Sequence, residues 1–399
     1  MQVDQDREIL NTIDRMRGEI TEFLAELVKA KSVNPPGDTR DVIEIIREKL
    51  AASGLKVKTI SVDDDKPNIV ARLEADRPRK KLELLFNSHV DTVPVGEAQR
   101  WKHEPFSAEV TDGRMYGRGV ADAKGSVASM VMSAKALVES GVELGGTLVL
   151  NPVSDEEVGG FKGAKYVLES GEIHPDQVVV GEITTNRIAI AEKGIVWFKI
   201  TTEGRTAHAS TPWDGINAID KMIDLLKEIN NKVVTQLRLR RHPLTPPPSL
   251  NIGLITGGVK TNVVADRCEV MIDRRILPNE TIEGATREIQ DVIDYMKSRD
   301  PEFRANMEVT LTGSPIETSP DSHIVKVAQD VCRSRGMPDE PVGYLQASDG
   351  RFYAEKGIPT ILLGPGLAEL AHAPDEWISL EEVVEATKIY SLIATRVLK

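Results

Sequence analysis

Four stretches of this chain share one pattern: a short apolar run that ends in ionisable or turn-forming residues. They are KLELLFNSHVDTV (81–93), GTLVLNPVSDEE (146–157), QVVVGE (177–182) and TILLGPG (360–366). Runs of this length with little polar alternation are strands buried on both faces, and helical segments separate them. The pattern predicts an α/β fold: a mixed, mostly parallel sheet with helices on both faces. Ligands of such sheets sit beyond the carboxyl ends of the strands. Those ends carry His89, Asp91, Asp155, Glu156, Glu157 and Glu182.

The surrounding chain supports this frame. Residues 6–31 place apolar side chains at helical spacing, and the breakers of SVNPPGD follow. A second helix is expected over 39–53 and another over 123–140. From about 187 the texture changes. A strand-like stretch, a helix near 214–231, strands over 250–256 and 266–275, a helix over 281–298 and a strand over 306–312 make a β-α-β-β-α-β order. That order predicts an inserted, ferredoxin-like α+β module. At 399 residues the chain is long for a single core. The expected division is 1–186 and 315–399 as two parts of one domain, with 187–314 as the insertion.

A net charge of -12 disfavours a nucleic-acid or membrane-surface role, which needs a basic face. No apolar run reaches the ~20 residues that span a bilayer, and MQVDQDREIL lacks an apolar signal core. Only Cys268 and Cys332 occur, without CxxC pairing, so neither a disulfide framework nor a thiolate metal site is expected. A cytoplasmic protein is the expectation. Any metal ion must use His, Asp and Glu.

Each candidate ligand has an ordinary reading when taken alone. His89 and Asp91 stand two apart, on one face of a strand, where Asp91 can accept from the imidazole; structural His–Asp pairs are common. Asp122, in MYGRGVADAKG, is equally placed to cap the helix that follows it. The three acids of SDEEVGG would repel one another unless solvated or neutralised by a cation. If a cation is present, Glu156 and Glu157 can divide metal binding and proton transfer between them. Glu182 ends QVVVGE, and His372 lies in ELAHAPDEW beyond the last strand. Together they put two imidazoles and three carboxylates at one sheet edge. Such a set suits zinc, with cobalt or manganese as alternatives.

HVDTVP, GRGVADAKG, DEEVGG, the GE at 181–182 and the late His372 occur in an order that resembles the M20 metallopeptidase and deacylase family. The acetylornithine deacetylase and succinyl-diaminopimelate desuccinylase branch is the nearest in pattern. The resemblance implies two zinc ions per subunit. His89 and Glu182 would hold one, Glu157 and His372 the other, and Asp122 would bridge them. It implies Glu156 as general base, Asp91 as the outer partner of His89, and the insertion as a lid and dimerisation domain of a homodimer. His208 in EGRTAHAS would stabilise the oxyanion in the partner's site. Asn262 in KTNVVAD, Arg275 in DRRILP (with Arg274 an alternative) and the loop QASDGRF, with Ser348 and Gly350, would contact substrate. The implied substrate is a small N-acyl amino acid. A dipeptidase or carboxypeptidase specificity is the first alternative, and a non-catalytic metal- or peptide-binding homologue the second. His103, His174, His242 and His323 are expected at the surface.

Overall fold

A computed structural model describes residues 2–75 and 81–399. The chain forms two compact units. The first comprises Met1–Ile190, Thr318–Val342 and Ser348–Lys399, and the second Ala191–Glu317 with Gly343–Ala347. The short stretch Gly343–Ala347 thus clusters with the insertion, although it lies beyond the sequence-based boundary at 314.

The first unit is built on a mixed sheet. Its strands run in the order Lys56–Ile60, Asn68–Leu73, Thr147–Val153, Glu83–His89, Gln177–Val180 and Thr360–Leu362, with Leu362 then opposing Ala189. The last four of these six are mutually parallel, with Phe86 opposite both Leu150 and Val179, and Ile361 opposite Val179. Antiparallel pairs flank them. Every residue from Leu84 to His89 is buried. Since successive strand side chains face opposite sides, both faces of this sheet are covered. Parallel pairing also sends all four carboxyl ends to one edge.

Helices Gly125–Glu139 and Leu380–Val397 are buried along most of their length and pack on one another. The expected single helix over 6–31 is two, Gln2–Arg15 and Arg17–Lys29, interrupted at Met16. Its apolar residues nonetheless reach the core as one stripe: Ile9, Ile13, Met16, Ile20, Phe23, Leu24 and Leu27 are buried. A small antiparallel sheet of Glu109–Thr111, Arg114–Tyr116 and Trp377–Ser379 brings two distant loops side by side, with Trp377 opposite Tyr116.

The second unit is a four-stranded antiparallel sheet in the order Ser249–Gly257, Arg267–Ile276, Gly194–Glu203 and Arg304–Gly313. With helices Ala218–Ile229 and Ile282–Arg299 it has the ferredoxin-like order of elements. Residues 268–276 alternate between buried and half-buried, as a one-sided sheet requires. Val196, Phe198, Ile200, Val270 and Ile272 meet Met222, Leu225, Ile289 and Ile293 of the helices in its core. Among the described residues no helix is long and apolar enough to cross a membrane.

Candidate metal centre

The strand Glu83–His89 ends on the first candidate ligand. His89 is buried, and its Nδ1 lies 3.0 Å from the carbonyl oxygen of Asp91 and 3.5 Å from that residue's carboxylate. An N–H at Nδ1 therefore donates first to the backbone, where a shared strand face had suggested the side chain. The reason is local: the strand stops at His89, so the two residues no longer share its pleat. The orientation leaves Nε2 facing Asp122 Oδ1 at 3.1 Å. The Asp91 carboxylate instead accepts the backbone N–H groups of Glu156 and Glu157, both at 3.2 Å, and the Asn34 amide at 2.8 Å.

The turn after Thr147–Val153 separates its three acids. Asp155, at φ 77°, forms a buried ion pair with Lys66 (2.6 Å) and accepts the N–H of Lys162. Glu157 Oε1 accepts the N–H of Val93 at 3.2 Å, and Oε2 lies 3.2 Å from His372 Nε2. Gly160 closes the turn at φ 69°, and a Cβ there would stand 2.0 Å from Asp349 Oδ1. Any side chain at this position would collide with Asp349.

Asp122 does not cap a helix. The helix begins at Gly125, and Asp122 has extended backbone angles three residues earlier. Oδ1 meets His89, and Oδ2 lies 3.4 Å from His372 Nε2. Ligand atoms of His89, Asp122 and Glu182 lie within 4.8 Å of one another, and so do those of Asp122, Glu157 and His372. Asp122 belongs to both groups. Glu182 is buried two residues beyond its strand, and His372 stands half-exposed at φ 62°.

The protonation pattern fits this crowding. Burial opposes charge on His89, but Asp122 and Asp91 outweigh it and hold its pKa well above the ordinary value. Asp122 and Glu157 raise His372 to about 10. Burial would push Asp122 up, yet the two imidazoles win and hold it low. Glu156 and Glu157 are raised, chiefly by burial. The imidazoles thus compensate the clustered carboxylates with protons, a task that bound cations perform when they displace those protons. A donor set of imidazoles and carboxylates, with one carboxylate common to both groups, fits a pair of divalent ions.

Other residues singled out in the sequence belong to the second unit. His208 is exposed, its Nδ1 2.7 Å from Ser210 Oγ, and it bridges to Val263 beside Asn262, whose carbonyl accepts the N–H of Ala209. Arg274 is completely buried against Glu280 and Glu288, whereas Arg275 is half-buried and pairs with Asp273 at 3.0 Å. Of the two, only Arg275 has a guanidinium that a ligand can reach. In the first unit Ser348 is buried, and its Oγ accepts the N–H of Gly350 at 3.2 Å. His174 and His323 are exposed, and His103 stacks on Tyr116. His242 departs from expectation. Its side chain is 4% exposed and faces Glu317 at 3.1 Å.

Sequence reasoning passed over three buried charges near the site. Arg118 and Glu376 pair at 2.7 Å with almost no exposure, and burial pushes Glu376 up to about 7 against the pull of Arg118. Asp349 is fully buried, and neither carboxylate oxygen has a hydrogen-bond partner among the described residues. All three stand inside motifs already noted (YGRG, APDEW and ASDGR), and a charged residue hemmed by glycine or proline was the available signal.

Residues 85–396 match the sequence model of Peptidase family M20/M25/M40. N-formyl-4-amino-5-aminomethyl-2-methylpyrimidine deformylase of Halalkalibacterium halodurans is 29% identical over 406 residues, covering 96% of this chain and 95% of that protein. Acetylornithine deacetylase of Aliivibrio fischeri is 28% identical, covering 94% and 97%. Among solved structures, aminopeptidase PepT of Bacillus cereus superposes with a TM-score of 0.79 at 23% identity, over 96% of this chain and 99% of that one. A dinuclear metal-binding peptidase of Bacillus subtilis gives 0.73 at 17% identity, over 96% and 99%.

Proposed function

Because the chain belongs to peptidase family M20/M25/M40, we propose that it is a binuclear, zinc-dependent amidohydrolase that removes the acyl group of an N-acyl amino acid. The observation that carries this reading is the pair of ligand groups that share Asp122, with Glu156 on the same turn as Glu157. His89 and Glu182 would hold one ion, Glu157 and His372 the other, and Asp122 both. Cobalt or manganese would suit the same donors.

When bound, two such ions supply Lewis acidity toward the acyl carbonyl and lower the pKa of water. Glu156 takes a proton from the attacking water and returns it to the departing amine nitrogen. Its environment supports that exchange, because burial raises its carboxyl well above the ordinary carboxylate value. Asp91 orients the base by receiving the N–H of Glu156, and it sets His89 through the adjoining carbonyl. His208 is assigned to the developing oxyanion in the other copy of a homodimer, and Arg275 to a substrate carboxylate in bidentate geometry. Asn262, Ser348 and Gly350 are assigned to substrate contact. The dimer reading is supported by the exposed apolar edge strand Ser249–Gly257, in which Leu254 and Ile255 face solvent. A cytoplasmic setting is supported by two buried cysteines without a disulfide.

The named relatives favour deacylation over peptide cleavage, since one acts on acetylornithine and another on an N-formyl pyrimidine. A panel of N-acetylornithine, N-succinyl-diaminopimelate, other N-acyl amino acids, the N-formyl pyrimidine and dipeptides tests this on zinc-loaded enzyme. Highest kcat/KM on an N-acyl amino acid is expected. Highest kcat/KM on dipeptides would replace the reading with a dipeptidase.

A further inference from the structure

The loop that carries Asp122 and the loop that carries His372 are joined by one buried ion pair. Glu376 Oε1 accepts the backbone N–H groups of Ala121 (2.9 Å) and Asp122 (3.2 Å). Its Oε2 accepts the N–H of Gly119 at 3.1 Å and Arg118 Nη1 at 2.7 Å. The carbonyl of Glu376 in turn accepts the N–H of Gly117 at 2.9 Å. The guanidinium reaches the other way: Arg118 Nη2 donates to the carbonyl oxygen of His372 at 3.2 Å. Neither side chain touches a candidate ligand's donor atoms, and both are essentially shut off from water. Removing one partner of such a pair leaves a charge buried without compensation.

The division of labour is unequal. Glu376 grips the backbone of Asp122, the residue common to both ligand groups. Arg118 grips the backbone of His372, which belongs to only one. We propose that Arg118 and Glu376 are positioning residues that couple the two metal sites, with Glu376 setting the affinity of both and Arg118 that of the Asp122–Glu157–His372 site alone. This rests on the binuclear reading above. Hydrogen-bonded partners behind metal ligands typically change affinity by about 10- to 100-fold, and His372 is the more dependent ligand because it is half-exposed on a loop.

The experiment is stepwise zinc titration of metal-free protein against a competing chelator, with circular dichroism of the same samples to confirm folding. In Arg118→Lys the ion pair can persist while the reach to the His372 carbonyl is lost. One dissociation constant should rise about 10-fold or more and the other stay within about twofold. In Glu376→Gln both should rise. A pair that serves only as scaffold would lower the melting temperature of metal-free protein and leave both constants unchanged, and that result in Arg118→Lys overturns the inference. Equal weakening of both sites by Arg118→Lys overturns it as well. If Glu376→Gln fails to fold, Arg118→Lys alone decides. Failure of unmodified protein to bind two ions would overturn the binuclear reading and this inference with it, and is told apart by appearing without any substitution.

Discussion

The carboxylate of Asp91 receives the backbone N–H of Glu156 at 3.2 Å. One side chain beyond the end of one strand thereby fixes a residue in the turn that follows the next. Asp91 also takes the N–H of Glu157 and the Asn34 amide. An amide in its place would offer one acceptor oxygen and a competing donor. Asp91→Asn should therefore lower kcat by about 10- to 100-fold with a smaller change in KM. Steady-state kinetics of zinc-loaded enzyme checks this, and kcat within twofold of the unmodified enzyme would remove Asp91 from the machinery.

Glu156→Gln keeps shape and hydrogen-bonding reach but cannot carry a proton. Turnover should fall by about 10²- to 10⁴-fold, the usual contribution of a general acid–base group. Zinc content, measured by elemental analysis, should stay as in the unmodified enzyme, because Glu156 lies outside both ligand groups. Retained turnover, or loss of zinc, would exchange the roles of Glu156 and Glu157.

Much of the fold, and of which residues cluster at the candidate site, was legible in the sequence, for a physical reason. Parallel strands with both faces covered are nearly all apolar, so their polar ends stand out, and His89, Glu157 and Glu182 were readable as a set. Asp122 and His372 needed the order of motifs, because neither lies in a regular element that periodicity detects. Arg118 and Glu376 were legible only as charges hemmed by glycine or proline, not as a pair. Their pairing spans 258 residues, and a buried charge carries the same letter as a solvated one. Asp349 and His242 escaped for the same reason. Arg274 and Arg275 were indistinguishable in sequence, and the strand's alternation separates them by pointing Arg274 into the unit's core.

Asp349 predicts a pH effect. Burial raises its carboxyl to about 6 from the ordinary 3.8, with Arg351 opposing. The folded state therefore binds this proton more tightly than the unfolded chain. Its contribution to stability is fullest below the unfolded value and declines as pH rises toward 6. A shift of this size corresponds to roughly 3 kcal/mol. Asp349→Asn should raise the melting temperature of metal-free protein at pH 7 and leave it nearly unchanged at pH 4. Thermal melts across that range check it, and an equal shift at both pH values would contradict it.

Both cysteines should be inert in the folded protein. Burial pushes the Cys332 thiol up to about 12 and raises Cys268 as well. Only the thiolate reacts, so at pH 8 neither should react with a disulfide reagent until denaturant is added. Rapid labelling of native protein would show that the helix His323–Ser334 or the second unit opens readily.

The edge strand Ser249–Gly257 predicts the effect of a charge on assembly. Leu254 is 67% and Ile255 54% exposed on an unpaired edge. Lysine on such an edge blocks pairing with another copy. Leu254→Lys with Ile255→Lys should convert a homodimer to monomer in light scattering and lower turnover, because His208 is assigned to the other copy's site. A monomer with full turnover would cancel that assignment.

The central claim is that Asp122 belongs to two metal sites at once. Zinc per chain, counted by elemental analysis after dialysis of unmodified protein and of Asp122→Ala, tests it most directly. The account predicts two zinc ions in the unmodified protein and loss of both in the variant, with the fold retained by circular dichroism. One zinc ion in the unmodified protein, or one that survives the loss of Asp122 undiminished, would contradict it.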